Sequence, residues 1–266
     1  MSSLHIFSFT LRNSHTLSFD SNERGDEVVR QLQDESDGVG SNAVFDLLEL
    51  DMTSFQSVQL LPSRLKSLGI TQLDIAILNA GTYQTDFRVC PETGWEQVMQ
   101  VNFLATAALT ILLRPYLTYK RRGYLLAVAS EAHAWADPQN HSIQDLLDQF
   151  KKPEFELYLC YQRYHISKLL LILWIRHIST REEWAQASIA AVSPGFASTG
   201  LWRDFNGFSI AKLIEYVFCR SCKEGAGQYV CALDDLVRGH GHGGFWSDAG
   251  WREPSVGKYG QESQDG

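Results

Sequence analysis

Tyr164 and Lys168 stand four residues apart in the run Tyr164-His165-Ile166-Ser167-Lys168. On a helix that spacing puts the phenol and the ammonium on one face, a turn apart. A free tyrosine, with a pKa of about 10, is a poor acid–base group at neutral pH. A lysine cation beside it favours the phenolate and lowers that pKa toward a working range. The pair could therefore pass a proton to or from a substrate oxygen, although the spacing also arises by chance on many helices. Ser130 closes the apolar run YLLAVAS, where its hydroxyl could hydrogen-bond a carbonyl or alcohol oxygen and stabilise charge developing there. A serine at such a point is also a common turn residue. Asn102 lies inside an apolar helical run, where a buried amide must have its hydrogen bonds met. Chemistry, a helix kink or packing would each satisfy that demand.

The elements that must hold these groups alternate between short β-rich runs and helical ones, the pattern of an α/β fold with a mostly parallel, doubly wound, Rossmann-like sheet. Strands are predicted at 5–11, 43–50, 74–79, 124–129, 188–193 and 243–248. Helices are predicted over 24–34, 55–68, 95–119, 162–179 and 223–238, with a Gly/Asp/Ser-rich turn at 36–41. Ligands in such sheets sit at the carboxyl ends of the strands. Asp51, Asn79-Ala80-Gly81, Ser130 and Pro194-Gly195 each follow a predicted strand. No linker divides the chain, so 1–266 is expected to form a single domain with a loose polar tail after 254.

With 44% hydrophobic residues in 266, the chain can bury a sizeable core. A net charge of −8 argues against a nucleic-acid partner, and Lys120 to Arg122 is only a short basic cluster. Five cysteines (90, 160, 219, 222 and 231) suit free thiols in a reducing compartment. Cys219-x-x-Cys222 lacks the second pair or the context of a redox or zinc motif. His240 and His242, in G-H-G-H-G-G without carboxylates beside them, read as loop residues, and no metal site is expected. The N-terminus lacks a secretory pattern, and the apolar run from Val101 to Leu113 is short for a bilayer span. A cytoplasmic protein with no membrane span is the expectation.

Taken together, six motifs in one order resemble the short-chain dehydrogenase/reductase family: L-E-L-D-M ending on Asp51-Met52, N-A-G at 79–81, Asn102, V-A-S at 128–130, Y-H-I-S-K at 164–168 and S-P-G-F-A-S-T at 193–199. The resemblance implies that Tyr164 is the proton donor or acceptor. Lys168 lowers its pKa and holds the nicotinamide ribose, Ser130 orients the substrate oxygen, and Asn102 anchors a water in the proton relay. It further implies that Asp51 and Met52 contact the adenine and that Asn79, Ala80 and Gly81 support that side of the cofactor pocket. Pro194, Gly195, Ala197 and Thr199 would line the nicotinamide end. The 34-residue step from Ser130 to Tyr164 leaves a long insertion at about 131–161, placed to shape a substrate pocket. With S-E-A-H-A-W and G-G-F-W-S-D, it is similar to fungal members related to retinol-dehydrogenase-type enzymes, many of them in secondary-metabolite pathways.

One part of the pattern is missing. The family opens with a strand and a T-G-x-x-x-G-x-G turn that admits the cofactor pyrophosphate to a helix N-terminus. Before Gly38 the only glycine is Gly25. Residues 5–13 look like the family's second strand, with Arg12 where members favouring NADP place a base for the 2′-phosphate. The fold then reads as truncated at the first strand and its glycine-rich turn, which would expose neighbouring strand edges. Alternatively, residues 5–11 replace that strand and cofactor binding is altered or lost. The expected function is an NADP-dependent oxidoreductase, NADP(H) being favoured over NAD(H), that interconverts a carbonyl and an alcohol on a hydrophobic small molecule. The competing expectation is a non-catalytic relative serving as a binding or regulatory scaffold. The apolar helices at 101–113 and 166–178 resemble those that pair subunits in the family, so a homodimer or homotetramer is expected.

Overall fold

In the computed structural model the chain is described over residues 7–11, 14–19, 22–38, 44–137, 150, 157–195 and 222–254. Eight strands form one sheet: β1 Phe7–Leu11, β2 Ser14–Phe19, β3 Val44–Glu49, β4 Ile75–Leu78, β5 Gly123–Val128, β6 Ala187–Val192, β7 Phe245–Ser247 and β8 Gly250–Arg252. Their order is β3-β2-β1-β4-β5-β6-β7-β8, a doubly wound Rossmann-like arrangement whose order reverses between β1 and β4. Six strands run one way; β1 and β8 run against them.

The expectation of a missing central strand is corrected by this order. β1 occupies the slot between β2 and β4 and pairs with both, Phe9 standing between Thr16 and Ala76. The position of the second strand belongs to Ser14–Phe19 rather than to residues 5–13, because this is the segment that pairs in parallel with β3 through the crossover helix α1, Asn22–Gly38. A hairpin as tight as 11 to 14 can only return its first arm antiparallel, so β1 enters the slot reversed. The neighbouring edges are thereby covered. Arg12 lies outside the described residues, as do most of the insertion and the tail from 255.

Other boundaries follow local chemistry. Of the turn expected at 36–41, residues 36–38 belong to α1, which continues to Gly38, and 39–41 lie outside the described residues. The helix expected over 55–68 is two pieces, α2 Phe55–Gln59 and α3 Leu61–Ser67, parted at Leu60 and restarted by Pro62 in the first turn. Strand β8, not evident in the sequence, returns from β7 through Asp248 and Ala249, both at positive φ (50° and 59°), the handedness a two-residue hairpin needs.

Helix α4, Gln97–Thr118, falls within the helix expected over 95–119 and is by length and composition apolar enough to cross a membrane. It is a core helix: Val101, Ala105, Leu109, Leu113 and Leu117 are fully buried against β4, β5 and helix α5, Leu157–Ser179. Helix α6, Cys222–Val237, covers the other face with Ala232 and Leu236 against Leu126, Ala190 and Trp246.

Because β1 is bonded on both sides, a proline there removes a donor from the middle of the sheet. Phe9→Pro should lower unfolding stability by about 1–3 kcal/mol in a denaturant titration, the cost of an unmet buried backbone group. An unchanged midpoint would mean that β1 does not occupy the central slot in solution.

Candidate active site

Three elements deliver the polar groups to one place. The turn after β4 brings Asn79 to Gly81, the middle of α4 brings Asn102, and α5 brings Tyr164, Ser167 and Lys168. Asn102 has no solvent exposure and sits where α4 is wound as a π turn over Gln100–Ala105. Such turns open a helix locally and are frequent at functional sites. Its Oδ1 accepts the Thr82 N–H at 2.7 Å, and its Nδ2 donates to Thr82 O at 2.9 Å and to Ser167 Oγ at 3.1 Å. Ser167 in turn donates to Tyr164 O at 2.8 Å. One amide thus ties the turn after β4 to the helix that carries Tyr164 and Lys168.

Lys168 is buried with its Nζ donating to Val128 O at 2.9 Å and lying 5.7 Å from the centroid of the Tyr164 ring. A Cβ on Gly81 would stand 3.2 Å from that Nζ and 3.6 Å from Asn102 Oδ1, so the lack of a side chain there lets the turn approach the ammonium. Burial pulls the Lys168 ammonium down to about 8. Burial pushes the Tyr164 phenol up to about 12, while the hydrogen bond with Ser130 acts to lower it. Desolvation is thus the largest influence on the phenol, and the opposing one comes from Ser130.

Ser130 follows β5 in extended conformation and starts a 3₁₀ turn, Glu131–Trp135, its Oγ accepting the Ala132 N–H at 3.1 Å. The hydroxyl hydrogen is left to point toward Tyr164 or a ligand oxygen. Tyr83 packs edge-on against Tyr164 with ring centroids 5.7 Å apart, alongside Val98 and Ala132. Glu96 caps α4 by accepting the Val98 and Met99 N–H groups at 3.0 and 3.1 Å, and its other oxygen lies 3.7 Å from Arg163 Nε, one residue before Tyr164. Burial raises the Glu96 carboxyl; the two N–H groups and Arg163 oppose it.

The remaining predicted positions line the carboxyl edge of the sheet. Asn79 Oδ1 accepts the Tyr229 hydroxyl at 2.9 Å, and Ala80 is buried. Asp51 Oδ1 accepts from both the backbone and the hydroxyl of Thr53, at 2.8 and 2.7 Å. Met52 is wholly buried in the core, with its carbonyl accepting from Gln100 Nε2 at 3.4 Å. Pro194 and Gly195 follow β6; Gly195 turns at φ 78°, a conformation suited to glycine. Ala197 and Thr199 lie outside the described residues. His242, weighed as a metal ligand in the sequence, has both ring nitrogens committed: Nδ1 accepts the Ile189 N–H at 3.2 Å and Nε2 donates to Ser179 O at 3.0 Å. Thr82, Ser167 and Glu96 were not singled out by residue type. Only Ser167, inside the Y-H-I-S-K run, carries a readable hint.

The donor set fits a nicotinamide dinucleotide on one side. Among the described residues the Lys168 ammonium makes a single hydrogen bond, so two of its three N–H groups remain for ribose hydroxyls beside Gly81. This side fits. At the switch point the reversed β1 presents Phe7, its N-terminal end, next to Leu78, and a glycine-rich phosphate turn has no counterpart there among the described residues.

Comparison with known proteins agrees with this geometry. A family model described as short chain dehydrogenase matches residues 10–141. The short-chain dehydrogenase fogG of Aspergillus ruber is 30% identical over 236 residues, covering 85% of this chain and 67% of that protein. The short chain dehydrogenase rstn4 of Aspergillus nomiae is 31% identical over 225 residues, covering 79% of this chain and 58% of its own length, so the chain spans roughly three fifths to two thirds of these relatives. A short-chain dehydrogenase from Sphingobium yanoikuyae, solved in complex with NADPH, shares the fold with a TM-score of 0.59 at 19% identity, covering 84% of this chain and 74% of that one. The chain belongs to the short-chain dehydrogenase/reductase family.

Lys168 ties this site to stability. An unfolded lysine titrates near 10.5 and the folded one near 8, so between those values the unfolded chain binds more protons and stability rises with pH. Tyr164 acts in the opposite sense above pH 10, where the unfolded phenol ionises first. Denaturant titrations from pH 7.5 to 10 should show a gain of about 2–3 kcal/mol in wild type relative to Lys168→Met, from roughly 1.4 kcal/mol per unit of pKa. Parallel curves for the two proteins would show that the ammonium is not buried as described.

Proposed function

We propose that the chain is an NADP(H)-dependent oxidoreductase interconverting a carbonyl and an alcohol on a hydrophobic small molecule, and that it serves a fungal secondary-metabolite pathway. The observation that carries the reading is the convergence of Ser130, Tyr164, Lys168 and Asn102 through hydrogen bonds that join β4, β5, α4 and α5. The fungal relatives support the setting, and the NADPH-bound Sphingobium structure supports the cofactor class.

A bound nicotinamide supplies or accepts a hydride at the substrate carbon. The chain's own work is done at the oxygen. In the reducing direction the Tyr164 phenol gives its proton to the carbonyl oxygen as negative charge develops there. Ser130, its oxygen already accepting from Ala132, has its hydrogen free to stabilise the same oxygen. Lys168, a cation below about pH 8, favours the phenolate left behind, and its remaining N–H groups would hold ribose hydroxyls of the dinucleotide. Asn102 has one Oδ1 lone pair beyond its bond from Thr82, enough to hold a water that returns a proton to the tyrosine. Arg12, given to the 2′-phosphate when residues 5–13 are read as the second strand, loses that support: its described neighbours Leu11 and Ser14 stand at the amino edge of the parallel strands, opposite the site.

A second reading, a scaffold that binds no dinucleotide, is favoured by one observation: the switch point lacks a glycine-rich phosphate turn among the described residues. Turnover separates the two. NADPH oxidation by the purified chain should be detectable on a panel of hydrophobic aldehydes and ketones, and Tyr164→Phe should lower kcat about 10²–10⁴-fold. A chain that binds NADPH yet leaves the whole panel untouched would count against the enzyme.

For the cofactor, NADPH should bind at least about 10-fold more tightly than NADH, since a charge-assisted bond to phosphate is worth roughly 1.5–3 kcal/mol. Equal affinities for the two nucleotides in a binding titration would overturn the NADP assignment.

A further inference from the structure

The loops after β5, β6 and β7 meet through side chains that the proton chemistry itself does not use. Ser193, wholly buried at the end of β6, accepts two backbone N–H groups: Glu131 at 3.3 Å from the loop after β5, and Gly195 at 3.1 Å from its own loop. Its backbone N–H donates to Trp246 O on β7 at 2.8 Å. Glu131 is held a second time, its Oε1 accepting the Ser247 hydroxyl at 2.6 Å at the end of β7. On the other side of Ser130, the Ala129 N–H donates to Val192 O at 2.8 Å. The Ser130 carbonyl receives both the His133 N–H at 3.2 Å and His133 Nδ1 at 2.7 Å. A carbonyl only accepts, so the imidazole presents Nδ1–H, and its burial against Phe245 favours that neutral form.

We propose that Ser193 and Ser247 act through Glu131 as positioning residues for Ser130, their hydroxyls locking the Ser130–Glu131 peptide across the ends of three strands and so aiming the Ser130 hydroxyl at the substrate oxygen. This rests on the role given to Ser130 in the proposed function. A serine hydroxyl has three staggered rotamers, and a catalytic hydrogen bond tolerates only about 10–20° of misdirection. A residue at the start of a loop is held to that tolerance only if both flanking peptides are fixed. Ala129 is fixed by the sheet, and Glu131 lies beyond it. The two serine hydroxyls do for Glu131 what the ladder does for Ala129. Of the two contacts, the hydroxyl on the carboxylate is the stronger, since charge-assisted bonds are about twice as strong as neutral ones.

The test uses the full chain. The Ala132 amide, bonded to Ser130 Oγ, reports the serine's orientation by hydrogen exchange, and the Leu126 amide in β5 reports global opening. In Ser193→Ala and Ser247→Ala, exchange at Ala132 should accelerate about tenfold, the equivalent of one lost bond, with Leu126 unchanged. Ser247→Thr, which keeps the hydroxyl, should restore protection. With nitrobenzaldehyde and NADPH, the same two variants should lose about tenfold in kcat with KM little altered, and should lose nothing further in a Ser130→Ala background. Unchanged exchange at Ala132, an equal rise at Leu126, or a full additional loss in the Ser130→Ala background would each overturn the proposal. A wild-type chain without turnover would sink the enzymatic reading alone, because the exchange data still decide the positioning.

Discussion

A primary amide with no solvent exposure must find partners for its oxygen and both its hydrogens, or it costs roughly 1–3 kcal/mol for each group left unmet. Asn102 meets that demand by bonding the Thr82 backbone on one side and Ser167 on the other. Much of the site's geometry follows from this. The turn after β4 must pass close enough for both of its Thr82 groups to reach the amide, which brings Gly81 against the Lys168 ammonium. Helix α5 must present Ser167 to the same amide, and Tyr164 and Lys168 on that helix are then fixed a turn apart beside Val128 and Ser130. The π turn in α4 spans Gln100–Ala105 and so carries Asn102 at its middle.

The amide can do this only if β4 and β5 are central strands of a complete sheet. That condition is met by a hairpin. β1, reversed, bonds β4 and leads directly into β2, which restores the parallel direction for β3. Among the described residues the sheet keeps the doubly wound order with no glycine-rich turn at its switch point, and the part of the site built from α4, α5 and β5 is positioned by its own contacts. The groups around Asn102, Tyr164 and Lys168 thus rest on side chains packed in the core.

The sequence made the catalytic side legible because its constraints are local or repeat in a fixed order. Four-residue helical spacing placed Tyr164 with Lys168, and strand ends placed Ser130 and Asn79 to Gly81. The start of the chain was misread for a physical reason. A strand run such as HIFSFTL carries no mark of its direction, and only long-range pairing decides whether it lies parallel or reversed. β2 was overlooked because SHTLSF is weakly apolar and its partner lies more than twenty residues on. Proximity of a cation to Tyr164 is readable in a sequence, whereas the desolvation that raises its pKa is not. The hydroxyl contacts of Ser193 and Ser247 join residues more than fifty positions apart, and nothing local announces them.

Lys168, held beside Gly81 by the Asn102 network, would have to grip a dinucleotide where no glycine-rich turn stands among the described residues. Calorimetric titration of the folded chain with NADPH tests this most directly, in parallel with Lys168→Met. Micromolar binding by the wild type that falls at least about tenfold in the variant, one charge-assisted hydrogen bond being worth that much, is the predicted result. A folded wild-type chain that takes up no NADPH would contradict it.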